Sequence, residues 1–148
     1  MVVVAVEDKG EAGFGRIRLR HVENASAAVL TSFVKDNVDI GSIIRTDGWN
    51  GYNHLLNNGF RHVRVRKSGV IGDDQLPLVH RVTSLLKRWL LGTYQGAVQP
   101  SYLDYYLDEF TFRFNRRTSA SRGKLFYRLI EQALIIDPVD RNELKTKT

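Results

Sequence analysis

Three side chains of this 148-residue chain have types and positions that could do chemistry. Asp47 follows the short apolar run Ile43-Ile44 and is followed at once by Gly48. This pattern places a carboxylate at the C-terminal end of a strand, where sheet proteins often carry their active groups. His80 and Lys87 lie seven residues apart in a helical pattern and therefore share one helix face. For Asp47 the alternative is a plain Asp-Gly turn without a chemical role.

A basic and aromatic region follows these residues. Residues 81–128 contain nine Lys or Arg and only three acidic residues. Such composition is typical of DNA-binding surfaces, because cations contact phosphates and rings stack on bases. Arg113, Arg116 and Arg117 are the predicted phosphate contacts. Aromatic residues are interleaved with these cations at helical spacing, which favours packing of the rings in the protein core over stacking on DNA bases. They are Trp89, Tyr94, Tyr102, Phe112 and Phe114.

Length and composition predict a single domain over residues 1–148. A hydrophobic fraction of 43% and a charged fraction of 26% are ordinary globular values. The absence of cysteine excludes disulfides and cysteine-based zinc sites. No apolar run approaches the length of a membrane span, and the N-terminus lacks the basic region of a signal peptide. We therefore expect a cytoplasmic protein without a membrane partner.

The net charge is +6 and the sequence pI is about 9.8. Residues 1–75 carry ten basic and nine acidic side chains, whereas residues 76–148 carry twelve and seven. A basic surface attracts polyanions through counterion release, which makes nucleic acid the leading partner class. Solubility alone is the other explanation of a charge of this size.

The hydrophobic periods predict an α/β or α+β sheet protein with a helical C-terminal part. Ile17, Leu19 and Val22 are expected on one face of the second strand. Asn24 or Ser26 is the predicted N-cap of the first helix. The predicted strands cover residues 2–6, 16–23, 42–46 and 61–66. The predicted helices cover residues 26–37, about 50–57, 76–91, 101–116 and 123–136.

Three separated motifs together resemble the ISXO2-like group of bacterial insertion-sequence transposases, which belong to the DDE superfamily. The motifs are "TDGWNGY" at 46–52, "SLLKRWLLGT" at 84–93 and "YLDEFTFRFNRR" at 106–117. The resemblance extends from about residue 2 to residue 130. It implies an RNase H-like mixed sheet flanked by helices, and duplex DNA (transposon ends and target) as partner of a homo-oligomer.

The resemblance also assigns roles to individual residues. Such enzymes hold two Mg²⁺ (or Mn²⁺) ions between three acidic or equivalent side chains for cleavage and strand transfer. Asp47 matches the second of these positions and is expected to be a metal ligand with Trp49 and Tyr52 packed behind it. His80 stands where many members have Glu, and an imidazole suits Mg²⁺ less well than a carboxylate does. Lys87, with Arg88 beside it, matches a basic position that contacts DNA near the cut end.

The first catalytic Asp of the family has no match in this sequence. That Asp lies on a strand that precedes the one at residues 2–6, so we expect a transposase domain shortened at its N-terminus. Its sheet should be divided where this central strand is missing, with exposed apolar edges and marginal stability. Metal-dependent cleavage by this chain alone is not expected. The alternatives are a non-catalytic DNA-binding remnant of a transposase and an RNase H-like nuclease or interaction module.

Overall fold

The computed structural model describes residues 1–65, 74–95 and 97–137, and it confirms the predicted mixed α/β class. The strands are β1 (Val2–Asp8), β2 (Phe14–His21), β3 (Ile43–Thr46) and β4 (Arg61–Arg64). The α-helices are α1 (Ala27–Asn37), α2 (Pro77–Tyr94), α3 (Leu103–Asn115) and α4 (Arg122–Ile135). No helix in these three ranges is long and apolar enough to cross a membrane.

β1 and β2 form an antiparallel hairpin in which Val4 faces Leu19 and Val6 faces Ile17. The prediction that Val22 shares the face of Ile17 and Leu19 was wrong. Successive side chains along a strand point to opposite faces, so residue 22 is expected on the face opposite that of residues 17 and 19. Val22 accordingly packs in a different cluster from Ile17 and Leu19.

β3 and β4 form a separate parallel pair, so the described strands make two two-stranded sheets instead of one. The expected division of the sheet is therefore present in this part of the chain. Both sheets pack with α1 in one apolar cluster, which contains Leu30 and Phe33 of α1 and Val3 of β1, with Ile44 of β3 packed against it. The cap of α1 is as predicted, because the Ser26 hydroxyl accepts a hydrogen bond from the Val29 N–H.

The other face of the hairpin is covered by α2 and α3. Ile17 of β2 is buried there among Val82 and Leu86 of α2 and Leu107 of α3. This amphipathic packing agrees with the helix predicted over residues 76–91. α4 contributes no residue to either buried cluster.

The predicted boundaries differ from the structure mainly where chain turns are tight. Instead of one helix over 50–57, the chain makes two 3-10 turns at Asn50–Tyr52 and Leu56–Asn58. Gly59 ends the second turn with φ +83°, a conformation that a side chain disfavours. The last residue of the predicted strand 61–66 lies outside the described residues.

Candidate nucleic-acid interface and metal-ligand positions

Asp47 lies in the turn that follows β3, with its side chain exposed. Gly48 has φ +81°, so the predicted tight turn needs the left-handed conformation that glycine adopts without strain. The Asp47 Oδ1 atom accepts a hydrogen bond of 3.2 Å from the Trp49 N–H. The carboxylate is thus held by its own turn, and Oδ2 is free of protein hydrogen bonds within the described residues.

A buried Thr46–His62 contact fixes the end of β3. The Thr46 Oγ1 atom lies 2.8 Å from Nε2 of His62 and accepts a 3.2 Å hydrogen bond from the Gly48 N–H. Burial, and secondarily the positive charge of Arg64, lowers the pKa of His62. The lowered pKa favours a neutral ring, whose Nε2 atom shares a hydrogen bond with the Thr46 hydroxyl. Sequence analysis did not identify this pair, although β-strand alternation in the 61–66 segment gave a signal for the face of His62.

The two aromatic residues of the turn have different environments. Tyr52 packs against the cluster beneath α1, and burial together with the charge of Asp47 raises its pKa. Trp49 is 56% exposed, and its Nε1–H donates a 3.1 Å hydrogen bond to the Ala25 carbonyl. The expectation that both rings pack behind Asp47 is correct for Tyr52 and wrong for Trp49. The indole is held at the surface because its N–H finds a backbone partner there.

One face of α2 is exposed and basic. The 3.6-residue period places its members on the side opposite buried Val82 and Leu86. Within the described ranges, Arg81, Lys87 and Arg88 form no ion pair or side-chain hydrogen bond. The side chains exposed on this face are His80, Arg81, Ser84, Lys87 and Arg88.

His80 is oriented by a carboxylate at the start of α2. Its Nδ1 atom lies 2.7 Å from Oδ1 of Asp74, and the same oxygen accepts a 3.0 Å hydrogen bond from the Leu76 N–H. A carboxylate oxygen accepts, so Nδ1 donates this hydrogen bond, and Nε2 has no described protein partner. Asp74 was not singled out in the sequence, since its pairing depends on how the chain enters α2.

The three arginines predicted to bind phosphate at the end of α3 have different partners. Arg113 forms a 2.8 Å ion pair with Glu109, and the guanidinium of Arg116 lies 3.7 Å from the centre of the Phe112 ring. Arg117 donates to three backbone carbonyls, those of Phe14, Gly15 and Phe114. Arg117 therefore ties β2 to α3, while the phosphate-contact prediction for all three stays untested.

The acidic pair of the "YLDEF" motif behaves as structural residues. Glu109 pairs with Arg113 and accepts a 3.0 Å hydrogen bond from the Tyr94 hydroxyl. Burial, and secondarily the neighbouring Asp104, raises the pKa of Asp108. Asp108 forms no ion pair in the described part of the chain.

The donor set for a metal is incomplete in the residues that the structure covers. No group of three or more His, Asp or Glu side chains there is arranged to hold an ion. A two-metal phosphoryl-transfer site needs several hard oxygen ligands around each ion. Neither Asp47 nor His80 is thus part of a group of three metal ligands within 1–65, 74–95 and 97–137.

The chain was compared with known families, curated proteins and solved structures. A family model described as "ISXO2-like transposase domain" matches residues 1–115. The match spans Asp47 and the basic face of α2, and it ends with α3. No curated protein and no solved structure matches the chain.

Proposed function

The chain belongs to the ISXO2-like transposase domain family, and from that premise we propose that it binds duplex insertion-sequence DNA through the basic face of α2. The observation that carries the proposal is that three cations on this face are exposed and lack protein partners among the described residues. When these side chains bind a phosphate, no ion pair with the described residues has to be broken first. The charge of +6 favours the same partner.

Lys87 and Arg88 are the strongest phosphate contacts in this proposal. They are adjacent on the exposed side of α2, and neither forms an ion pair with the described residues. Arg113 must leave Glu109 to bind a phosphate, and Arg117 must leave its three carbonyl partners. Those arginines are therefore secondary contacts.

The salt dependence of DNA binding tests this assignment. Lys87→Ala/Arg88→Ala should weaken binding to a duplex and reduce the slope of log K against log salt by about 2, since each phosphate contact contributes about 0.9. Fluorescence anisotropy with a labelled duplex at several salt concentrations measures this slope. The matched control is Lys9→Ala/Lys35→Ala, which removes the same charge from exposed sites on other elements. Equal slopes for the two double variants would remove α2 from the DNA interface.

We propose further that the two sheets are parts of one RNase H-like sheet. β1–β2 is antiparallel, β3–β4 is parallel, and both pack on α1. A strand between β1 and β3 would join them in the order β2-β1-x-β3-β4 and would cover two strand edges that have no described partner. No residue of the printed sequence matches the aspartate that the family carries on that strand.

Asp47 and His80 are the proposed metal-ligand positions of this domain. Asp47 exposes a carboxylate at the end of β3, and the Asp74 contact leaves Nε2 of His80 available. A carboxylate on the far ring nitrogen is the usual arrangement that orients a metal-binding imidazole. When bound, divalent ions would activate the attacking oxygen and stabilise the leaving one. The described residues do not complete such a site, so no cleavage step follows from them.

DNA binding without cleavage is accordingly the proposed activity of these 148 residues. With Mg²⁺ or Mn²⁺ the chain should retard a supercoiled plasmid on a gel without nicking it. Metal-dependent nicking that Asp47→Ala abolishes would overturn this proposal and identify Asp47 as a catalytic ligand. Nicking that survives Asp47→Ala would indicate a contaminating nuclease, and purification would have to remove it before the prediction is judged.

A further inference from the structure

Trp49 is a large aromatic residue that the fold holds at the surface. Its side chain is 56% exposed although it follows directly on the Asp47-Gly48 turn. Its Nε1–H donates to the Ala25 carbonyl at 3.1 Å, and its backbone N–H donates to Oδ1 of Asp47 at 3.2 Å. Both hydrogen bonds fix the indole relative to the turn, so an exposed ring is presented in a defined orientation.

Gly51 makes room for this arrangement. A Cβ atom at position 51 would lie 3.0 Å from Cδ1 of Trp49, 2.9 Å from the Ala25 carbonyl oxygen and 2.7 Å from Cδ1 of Leu30. Such distances are shorter than ordinary van der Waals contacts, and the carbonyl cannot move away as a flexible side chain could. The absence of a side chain at Gly51 therefore lets one edge of the indole pack closely against the backbone there.

Cationic side chains flank the turn that carries Trp49. Arg64, whose Cβ lies 3.9 Å from the position of a Cβ built on Gly48, is exposed and donates to Oδ1 of Asn53 at 2.7 Å. Arg45, two residues before Asp47, is also exposed. Sites that bind unpaired nucleic acid commonly combine an aromatic ring, which stacks on a base, with arginines that contact the phosphate backbone of the same strand.

The second tryptophan of the chain has a different role. Trp89 packs against the buried cluster of α2 and α3, with ring centroids 5.3 Å from Tyr94 and 5.6 Å from Phe110. Its ring is engaged by protein aromatics. Trp49 has no aromatic partner in the described part of the chain, which leaves its face for another ring.

We propose that Trp49 is a stacking platform for an unpaired nucleobase of a DNA strand at the Asp47 turn. The proposal rests on the proposed function only in that the ligand is DNA. It adds that the chain distinguishes DNA with an unpaired end from a blunt duplex. In a blunt duplex each interior base is paired and stacked on both faces, and only the terminal pairs expose a face, whereas an overhang offers unpaired bases that a ring can stack on without unstacking a step.

Tryptophan fluorescence gives a direct test, because the chain contains two tryptophans. In a Trp89→Phe background Trp49 is the remaining reporter. A duplex with a short unpaired 3′ overhang should quench it, and a blunt duplex of equal length should leave it nearly unchanged. Quenching of equal size by both duplexes, or by neither at saturating DNA, would overturn the stacking role.

Affinity measurements supply the second arm. Trp49→Ala should weaken binding to the overhang duplex by roughly 5- to 100-fold, the range for loss of one base–aromatic stack, and should leave blunt-duplex binding unchanged. Trp49→Phe should retain much of the preference, because a ring remains. Phe126→Ala is the matched control, since Phe126 is another exposed aromatic, on α4. A melting curve for each variant confirms that it is folded.

The outcomes separate this inference from the proposed function. If Trp49→Ala keeps its overhang preference while Lys87→Ala/Arg88→Ala loses DNA affinity, the stacking role is wrong and the DNA interface of α2 stands. If the unmodified chain binds neither duplex at low salt, the proposed function is wrong and the inference fails with it.

Discussion

Single residues at the end of β3 determine how Asp47 is presented. Gly48 adopts φ +81°, which turns the chain immediately after the carboxylate. Thr46 is buried and holds both the Gly48 N–H and the His62 ring. Burial and then the charge of Arg64 lower the pKa of His62, so the ring that contacts Thr46 favours its neutral form. The turn after β3 is thus connected to a histidine sixteen residues away in sequence.

His62 should make the stability of the chain depend on pH. Its pKa is lower in the folded state than the ordinary 6.5, because burial and then Arg64 disfavour the charged ring. The unfolded state binds more protons as the pH falls below about 6.5, so the free energy of unfolding should decrease on acidification through this range. Urea denaturation at pH 7.5 and pH 5.5 measures the change. His62→Asn should show a smaller decrease, and an identical decrease in both proteins would exclude His62 as its source.

At the scale of elements, one side chain joins the end of α3 to the outer edge of the hairpin. Asn115 accepts a 2.7 Å hydrogen bond from the Ile17 N–H through Oδ1 and donates a 3.1 Å hydrogen bond to the Ile17 carbonyl through Nδ2. Both backbone groups of a fully buried residue are thus satisfied by a side chain where β2 has no second described strand beside it. Arg117 reinforces this junction through the carbonyls of Phe14 and Gly15.

Replacing Asn115 should cost more stability than replacing an asparagine with a local, exposed hydrogen bond. Asn115→Leu leaves the buried Ile17 N–H without its partner, whereas the Ile17 carbonyl still accepts a 3.1 Å hydrogen bond from Nη1 of Arg18. A buried unsatisfied polar group costs about 1–3 kcal/mol. Asn58→Ala is the comparison, because Asn58 donates only to the nearby His54 carbonyl at an exposed site. Thermal and urea unfolding of both variants measures the difference. Equal losses would mean that the Ile17 N–H finds water or another acceptor.

Across the whole molecule, burial is concentrated in two clusters on opposite faces of the β1–β2 hairpin. One lies beneath α1 and the other beneath α2 and α3. α4 lies outside both, and Leu134, at 81% exposure, is among its uncovered apolar residues. Stability should therefore come from the hairpin and the first three helices. The homo-oligomer expected of a transposase remains a prediction.

Two leucine substitutions test this distribution. Leu107→Ala, at a site only 2% exposed in the cluster beneath α2 and α3, should lower the free energy of unfolding by about 2–5 kcal/mol. Leu134→Ala should change it by no more than about 0.5 kcal/mol, as surface substitutions do. Denaturant titration at several protein concentrations gives both values. A large loss for Leu134→Ala that grows with protein concentration would mean that α4 is covered by another copy of the chain.

The sequence by itself determined the features that depend on neighbouring residues. Strand and helix periods located the elements to within a few residues, because each period reflects which side chains face a core. Residue type alone limited the cap of α1 to Asn24 or Ser26 and gave the Gly48 turn, and the structure has Ser26 as the cap. The shared exposed face of His80 and Lys87 followed from helical geometry. The family was identified from three local motifs and is confirmed by the match over residues 1–115.

Only the tertiary structure decided what depends on residues far apart in the chain. The hydrogen bonds between Asn115 and Ile17 join positions 98 residues apart, and no local sequence pattern specifies such a pair. The division of the strands into two sheets and the absence of a group of three metal ligands, both within the described ranges, likewise depend on chain packing. Trp49 looks like a core residue in sequence, because indole burial is favourable. It stays at the surface since the Ala25 carbonyl and the backbone of Gly51 hold it there.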